Sequence, residues 1–195
     1  MPGAVLFAGH GFRALESGEA DIPDLQRFFE ENPEYFLVTS GEGPHAGQGR
    51  EEFEELPPPD FSYDRKWTIR FVDADGAMLG LAVVVSNLPA PGVWHLGLFI
   101  VATRLHGSGE ARHFHDALEA WIRGSGAQWL RLGVVAGNAR AERFWERLGY
   151  AETRRCEGVR AGRRVNTVRV MLKPLGGEDL AGYLARVPRD RPDPT

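Results

Sequence analysis

From Trp94 to Phe114 the sequence reads WHLGLFIVATRLHGSGEARHF, and it gathers the residue types best suited to chemistry in this chain. Gly107 and Gly109 stand between an apolar run and the start of a helical pattern. A helix N-terminus presents backbone N–H groups without intrahelical partners and the positive end of the helix dipole, so it holds phosphate without needing lysine. Glycine lets the main chain approach a ligand closely. Arg104 to Gly109 thus has the makings of a pyrophosphate seat, although two glycines alone suit a plain strand-to-helix turn equally well. It is not a Walker loop, because no lysine follows, and it lacks the G-x-G-x-x-G of a dinucleotide site. Earlier in the stretch, His95 carries an imidazole whose usual pKa of about 6.5 lets it accept a proton near neutrality. On a regular strand His95, Gly97, Phe99 and Val101 project to one side, and Gly97 leaves a gap beside the ring for a substrate or water. A hydrogen-bonded core histidine beside Trp94 is the other reading of the same residue.

These residues need elements to position them. Val93 to Val101 reads as a strand, and Ala111, Phe114, Leu118, Trp121 and Ile122 recur at helical spacing up to Gly124. Gln128 to Val135 reads as a further strand. Asn138 then caps a helix with Ala141, Phe144, Trp145 and Leu148 on its apolar side and Gly149 at its end. Upstream, Phe12 to Glu16 is a first strand, and a helix runs from Asp21 to about Asn32-Pro33. A second helical piece, about Gln48 to Leu56, stops at Pro57 to Pro59. The alternation of Trp67, Ile69 and Phe71, the turn at Asp73 to Gly76 and the apolar run Met78 to Val85 make a hairpin. Two antiparallel strands, Tyr150 to Val159 and Asn166 to Lys173, follow. Residues 1–175 read as one domain, and 176–195 as a tail with a short helix that frays after Val187.

The composition narrows the function classes. A chain of 195 residues with a net charge of -4 and lysine only at 66 and 173 lacks the footprint of a nucleic-acid binder. No run approaches a membrane span. The opening residues carry only the short apolar patch Val5 to Ala8 and no basic leader, so no signal peptide and a cytoplasmic location are expected. The lone Cys156 forbids an internal disulfide and is read as a small strand residue. His106, His113 and His115 are expected on loop or helix surfaces, with no metal site. Acidic residues crowd the first third, as solvated helix faces or as a lure for a cationic partner.

Arg104, Leu105, His106, Gly107, Ser108 and Gly109 match the pattern R/Q-x-x-G-x-G/A, and NARAERFWERLGY, Asn138 to Tyr150, is similar to N-x-x-A-x-x-x-Y-x-x-x-G-F. Together they resemble the two signatures of the GNAT superfamily of N-acetyltransferases, over about Trp67 to Lys173. The resemblance implies an α/β, three-layer fold: a central mixed, mostly antiparallel sheet with splayed fourth and fifth strands and helices on both faces. It implies acetyl-CoA as co-substrate, its pyrophosphate on the amides of His106, Gly107, Ser108, Gly109 and Glu110 and its pantetheine arm along the backbone of Phe99 and Val101. Arg104, Leu105, Asn138 and Phe144 complete the implied cofactor site; Asn138 is equally a helix cap, and Arg104 equally a surface arginine. His95, nine residues before Arg104, takes the position of the general base, and the Phe99 N–H that of the oxyanion donor. The sequence departs from the pattern at Trp145, which replaces the tyrosine that is the usual acid for the thiolate; Trp145 is read as packing, and Tyr35 is a remote substitute. The implied reaction acetylates a primary amine of a small molecule or peptide, without nucleic acid or membrane, and such folds are able to form homodimers. The alternative is a non-catalytic acyl-CoA-binding module that lost its acid at Trp145.

Overall fold

The apolar runs pair into one open, eight-stranded sheet in the computed structural model, which describes residues 3–192. Its strands are β1 (Val5–Gly9), β2 (Phe12–Glu16), β3 (Lys66–Val72), β4 (Met78–Val85), β5 (Val93–Val101), β6 (Trp129–Val135), β7 (Ala151–Ala161) and β8 (Arg164–Pro174), in the spatial order β1-β2-β3-β4-β5-β6-β8-β7. Neighbours run antiparallel except β5 and β6, which are parallel. The expected mixed sheet is therefore present. It gains β1, which the sequence shows only as the patch VLFAG; a register shift between Val5 and Phe7 breaks the alternation that marks a strand.

Helices lie on both faces: α1 (Ile22–Glu31), α2 (Glu34–Thr39) and α3 (Gln48–Glu54) before β3, α4 (Glu110–Gly124) after β5, α5 (Ala139–Arg147) after β6, and α6 (Leu180–Arg186) near the end. On one face, Phe114, Leu118 and Ile122 of α4 and Trp145 of α5 pack on Ile69, Phe71, Val84, Trp94, Leu96, Leu130 and Leu132. The Phe71 and Phe114 rings stack at 5.0 Å and 7°. On the other face, Leu25, Phe28 and Phe29 of α1 and Phe36 of α2 cover Leu81, Val83, Leu98 and Ile100. Farther along that second face, Tyr183 and Val187 sit on Trp129 and Leu172. The six-residue α2 was not expected, being too short to show a helical period after Pro33.

Two further differences concern buried polar groups. The segment after Val187, expected to fray, continues through a 3-10 turn at Pro188–Asp190 and leaves Asp190 only 1% exposed. Arg131 Nε and Nη2 donate to its carboxylate at 2.6 and 3.3 Å, and the Tyr183 hydroxyl donates to it as well. A buried carboxylate persists only when paired and hydrogen-bonded, and the partner here lies 59 residues away in sequence, beyond any local pattern. His115, expected on a helix surface, is fully buried in α4, with Nε2 2.9 Å from the Tyr150 hydroxyl. It sits one residue beyond Phe114, within the apolar arc of the helix.

Removing the ring that stacks on Phe71 should be costly: Phe114→Ala is expected to lose about 3–5 kcal/mol of unfolding free energy in urea. Burial, more than any nearby charge, pushes the His115 imidazole down to about 4. The unfolded chain, with an ordinary histidine pKa of about 6.5, then binds more protons, so this residue costs stability as pH falls from about 6.5 toward 4. Between pH 7 and 5 the loss from His115 should be about 2 kcal/mol, and His115→Gln should show a correspondingly smaller drop in thermal stability over the same interval.

Candidate functional site

β5 and β6 pair only from Val93–Trp129 to Leu96–Leu132, and beyond that point the strands part. Along the rest of β5, Ala102 N–H donates to Leu79 O, so the alternate residues Ile100 and Ala102 face β4. Phe99 and Val101 therefore direct their N–H and C=O groups away from β4, into the space that β6 has left. A groove of about 830 Å³ occupies it, lined by Phe99, Val101, Leu105, His106, Gly107, Gly109, Asn138, Phe144 and Trp145 among others. The sheet thus brings most of the residues named by the two sequence patterns to one place. One of the two outward carbonyls is already engaged: His106 Nε2 lies 3.0 Å from Val101 O, while Arg140 brings Nη1 and Nη2 to 2.9 Å from Nδ1 and Nε2.

The glycine loop opens onto this groove. Gly107 and Gly109 have φ of +85° and +93°, a left-handed backbone that glycine adopts freely, and a methyl group at either would meet nothing within 4 Å. The amides are not all available. His106 N–H donates to Thr103 O, Ser108 N–H to Leu105 O, and Glu110 N–H reaches its neighbour Ser108 Oγ at 3.3 Å. Among the described residues, Gly107, Gly109 and Ala111 keep N–H groups without a protein acceptor at the start of the 15-residue α4. Glu110 turns toward His113, 3.7 Å away, and neither it nor Ser108 lines the groove.

Arg104 needs a correction. A 3-10 turn at Thr103–Leu105 points it to the far side of the loop, where Nη2 donates to Met78 O and the side chain lines a separate cleft with Asp24, Arg27 and Arg70. Positive charge reaches the groove instead from Arg112, Arg140, Arg143 and Arg147. Their signal was in the sequence: 140, 143 and 147 recur at helical spacing and flank Phe144 on one side of α5. Asn138 lines the groove, and its Oδ1 accepts the Ala141 N–H at 3.3 Å as the α5 cap.

His95 stands on the opposite face from Phe99. Trp94 and Leu96 share their core with Phe99 and Val101, a step of three residues where a strand allows two. The extra residue is Gly97: Val83 pairs with Leu98 and Val84 with Leu96, so Gly97 forms a bulge. His95 and Gly97 consequently face the side of α1 and α6, while Phe99 and Val101 face α4 and α5. The expected gap exists, since Gly97 is exposed and a methyl group there would lie 3.9 Å from His95 Cδ2. Arg131, opposite His95 on β6, brings Nη1 to 3.3 Å from Nδ1. Arginine only donates, so Nδ1 is the acceptor and the ring proton sits on Nε2. Burial and then the Arg131 charge push this imidazole down to about 3. Such a ring is a poor proton acceptor at neutral pH.

The second-face helices also reach the groove. Glu34 and Tyr35 of α2 line it, and the Thr103 hydroxyl, donating to Glu34 at 2.6 Å, holds that carboxyl below its usual range. Burial, reinforced by the carboxylates of Glu52 and Glu55, raises the Tyr35 hydroxyl above its usual range. Glu52 on α3 is itself raised by burial to about 7, against the pull of Lys66. Sequence reasoning passed over Glu34 and Glu52 because they stand among many acidic residues; the Thr103 hydrogen bond separates the exposed Glu34 from the rest, and burial separates Glu52. Trp145 lies 7% exposed with its ring 5.6 Å from Phe99, so it both packs and lines the groove.

A profile of the acetyltransferase (GNAT) family matches residues 25–150. Among solved structures, an acetyltransferase from Thermus thermophilus shares 20% identity over 84% of this chain and 96% of its own, with a TM-score of 0.66. The ribosomal-protein-S18-alanine N-acetyltransferase of Escherichia coli shares 16% over 87% and 97%, with a TM-score of 0.64. Spermidine N-acetyltransferase of Vibrio cholerae, solved with CoA and spermine, shares 15% over 90% and 99%, with a TM-score of 0.66. These structures share the fold, and no curated protein matches the sequence. With strands that part beside a glycine-built helix start, and a family profile covering most of its length, this chain belongs to the GNAT acetyltransferase family.

Proposed function

We propose that this protein is an acetyl-CoA-dependent N-acetyltransferase acting on a primary amine. The observation that carries the reading is the groove itself: the Phe99 backbone and the Val101 N–H turned away from β4 at one end, and the free amides of Gly107, Gly109 and Ala111 at the other. The residues present fit the cofactor. A left-handed loop open to solvent, a helix start and four arginines suit a polyphosphate, and an extended strand edge suits an amide-bearing arm. Acetyl-CoA would supply the activated acyl group as a thioester.

The chain's own groups then divide the work. Gly107, Gly109 and Ala111 hold phosphate oxygens by their N–H groups, with Arg140 and Arg143 as charge partners. Phe99 N–H, directed away from β4, donates to the acyl oxygen as negative charge gathers on it. An amine must shed its proton before it can attack, and a base works best with a pKa near the working pH. Glu52, raised to about 7 and close enough to Tyr35 to act on its hydroxyl, is the proton acceptor in this reading. Trp145 offers an indole N–H, which donates a hydrogen bond but surrenders no proton, so the departing sulfur takes its proton from water. Spermidine and a protein alanine are the amines of those neighbours.

Acetyl-CoA should raise the melting temperature of the protein, and release of free thiol should follow addition of suitable amines from a broad panel. Stabilisation without turnover of any amine would favour a binding module. Arg140→Ala should weaken acetyl-CoA binding about tenfold, roughly 1.4 kcal/mol, in calorimetric titration. The base must be deprotonated to act, so kcat/KM should rise as pH climbs through about 7, and Glu52→Gln should lose that limb. An unchanged limb in Glu52→Gln would remove Glu52 from the mechanism.

A further inference from the structure

The groove between β5 and β6 is crossed by a contact between its own walls. His106 belongs to the wall that continues from β5, and Arg140 to the first turn of α5, which follows β6. Both side chains line the groove. Arg140 brings Nη1 and Nη2 to 2.9 Å from Nδ1 and Nε2 of the imidazole, and Nε2 lies 3.0 Å from Val101 O. Along the chain, Val101 stands between Phe99 and the glycine loop. A ligand stretched from the amides of Gly107 and Gly109 to the Phe99 N–H therefore has to pass the place where the ring sits.

The ring is held, and it is free to turn. Its backbone is pinned, because the His106 N–H donates to Thr103 O at 3.0 Å where the 3-10 turn ends. On the other side, Gly107 carries a φ of +85° with open space around it, and His106 itself is only half-buried. Uncovering Val101 O thus takes rotation about the His106 side-chain bonds and no remodelling of the loop. A single hydrogen bond biases such an equilibrium by about tenfold at most. That holds the ring down, yet it yields to an arm whose own amide N–H takes over the carbonyl. Arg140 has five N–H groups, so it keeps donors and charge for phosphate while it clasps the ring.

We infer that His106 is a gate of the carrier groove: its imidazole, clasped by Arg140, lies across the path from the phosphate amides to Phe99, and an arm-bearing carrier binds by turning it off Val101 O. The gate rests on the transferase reading for its ligand, while the contact across the groove belongs to the chain alone. A ligand that brings phosphates without an arm leaves the gate shut and pays nothing for it. The carrier does pay, since a gate closed in about nine molecules of ten lowers its affinity about tenfold.

Calorimetric titration with CoA and with 3′-phosphoadenosine 5′-diphosphate, the same nucleotide without the arm, separates the two ends of the groove. His106→Ala should tighten CoA binding about five- to tenfold and change that of the armless nucleotide by less than about twofold. Unchanged or weaker CoA binding in His106→Ala, or an equal gain for both ligands, would overturn the gate. NMR of the full chain reads the ring directly. The Cε1–H signal of His106, assigned by its absence from the His106→Ala spectrum, should shift far more on saturation with CoA than with the armless nucleotide. Binding of CoA with that signal unmoved would overturn the gate and leave the transferase reading standing. A folded protein that binds CoA neither intact nor as His106→Ala would overturn both.

Discussion

Backbone N–H and C=O groups in a protein interior must be paired, and in this fold one strand is made to break that rule. β5 accompanies β6 for four residues and then continues alone, with Phe99 and Val101 presenting a bare edge between two layers of helix. The groove and the glycine loop are arranged around that edge. The groove exists because the strands part; the glycine loop lies at its mouth because α4 must begin where β5 ends. Even the protein's own side chains respond, with His106 reaching back to cover Val101 O and Arg140 steadying His106 in turn.

Two electrostatic regimes share this small volume. On the cofactor side, charge is left unbalanced, with four arginines and the open end of a helix dipole facing solvent. On the side of His95, Arg131 and Asp190 pair within the protein under cover of Tyr183, and the Arg131 charge is still felt at the imidazole. The first arrangement selects for an anion of high charge.

Much of the fold was legible because its signals are local. The glycines at 107 and 109, the apolar spacing of α4 and the Asn138 cap of α5 each announce an element within a few residues, and the structure has them in place. β1 and α2 escaped because five or six residues carry too little period to register. In the site, the residues named for the groove were read from their spacing, yet directions could not be. Arg104 occupies the expected position and points away, since one 3-10 turn decides its course. The buried pair Arg131–Asp190 joins two segments that no sequence window contains, and the strap looked like an untethered tail for that reason.

The bulge at Gly97 has a meaning beyond its local kink. Upstream of it the odd-numbered side chains of β5 look toward α1 and α6; downstream the odd-numbered ones look toward α4 and α5. One inserted position thus acts as a phase shifter, letting a single strand present the same parity of side chains to both helical layers. A deletion of that one residue would leave every downstream side chain in the chain's inventory and hand each of them to the wrong layer.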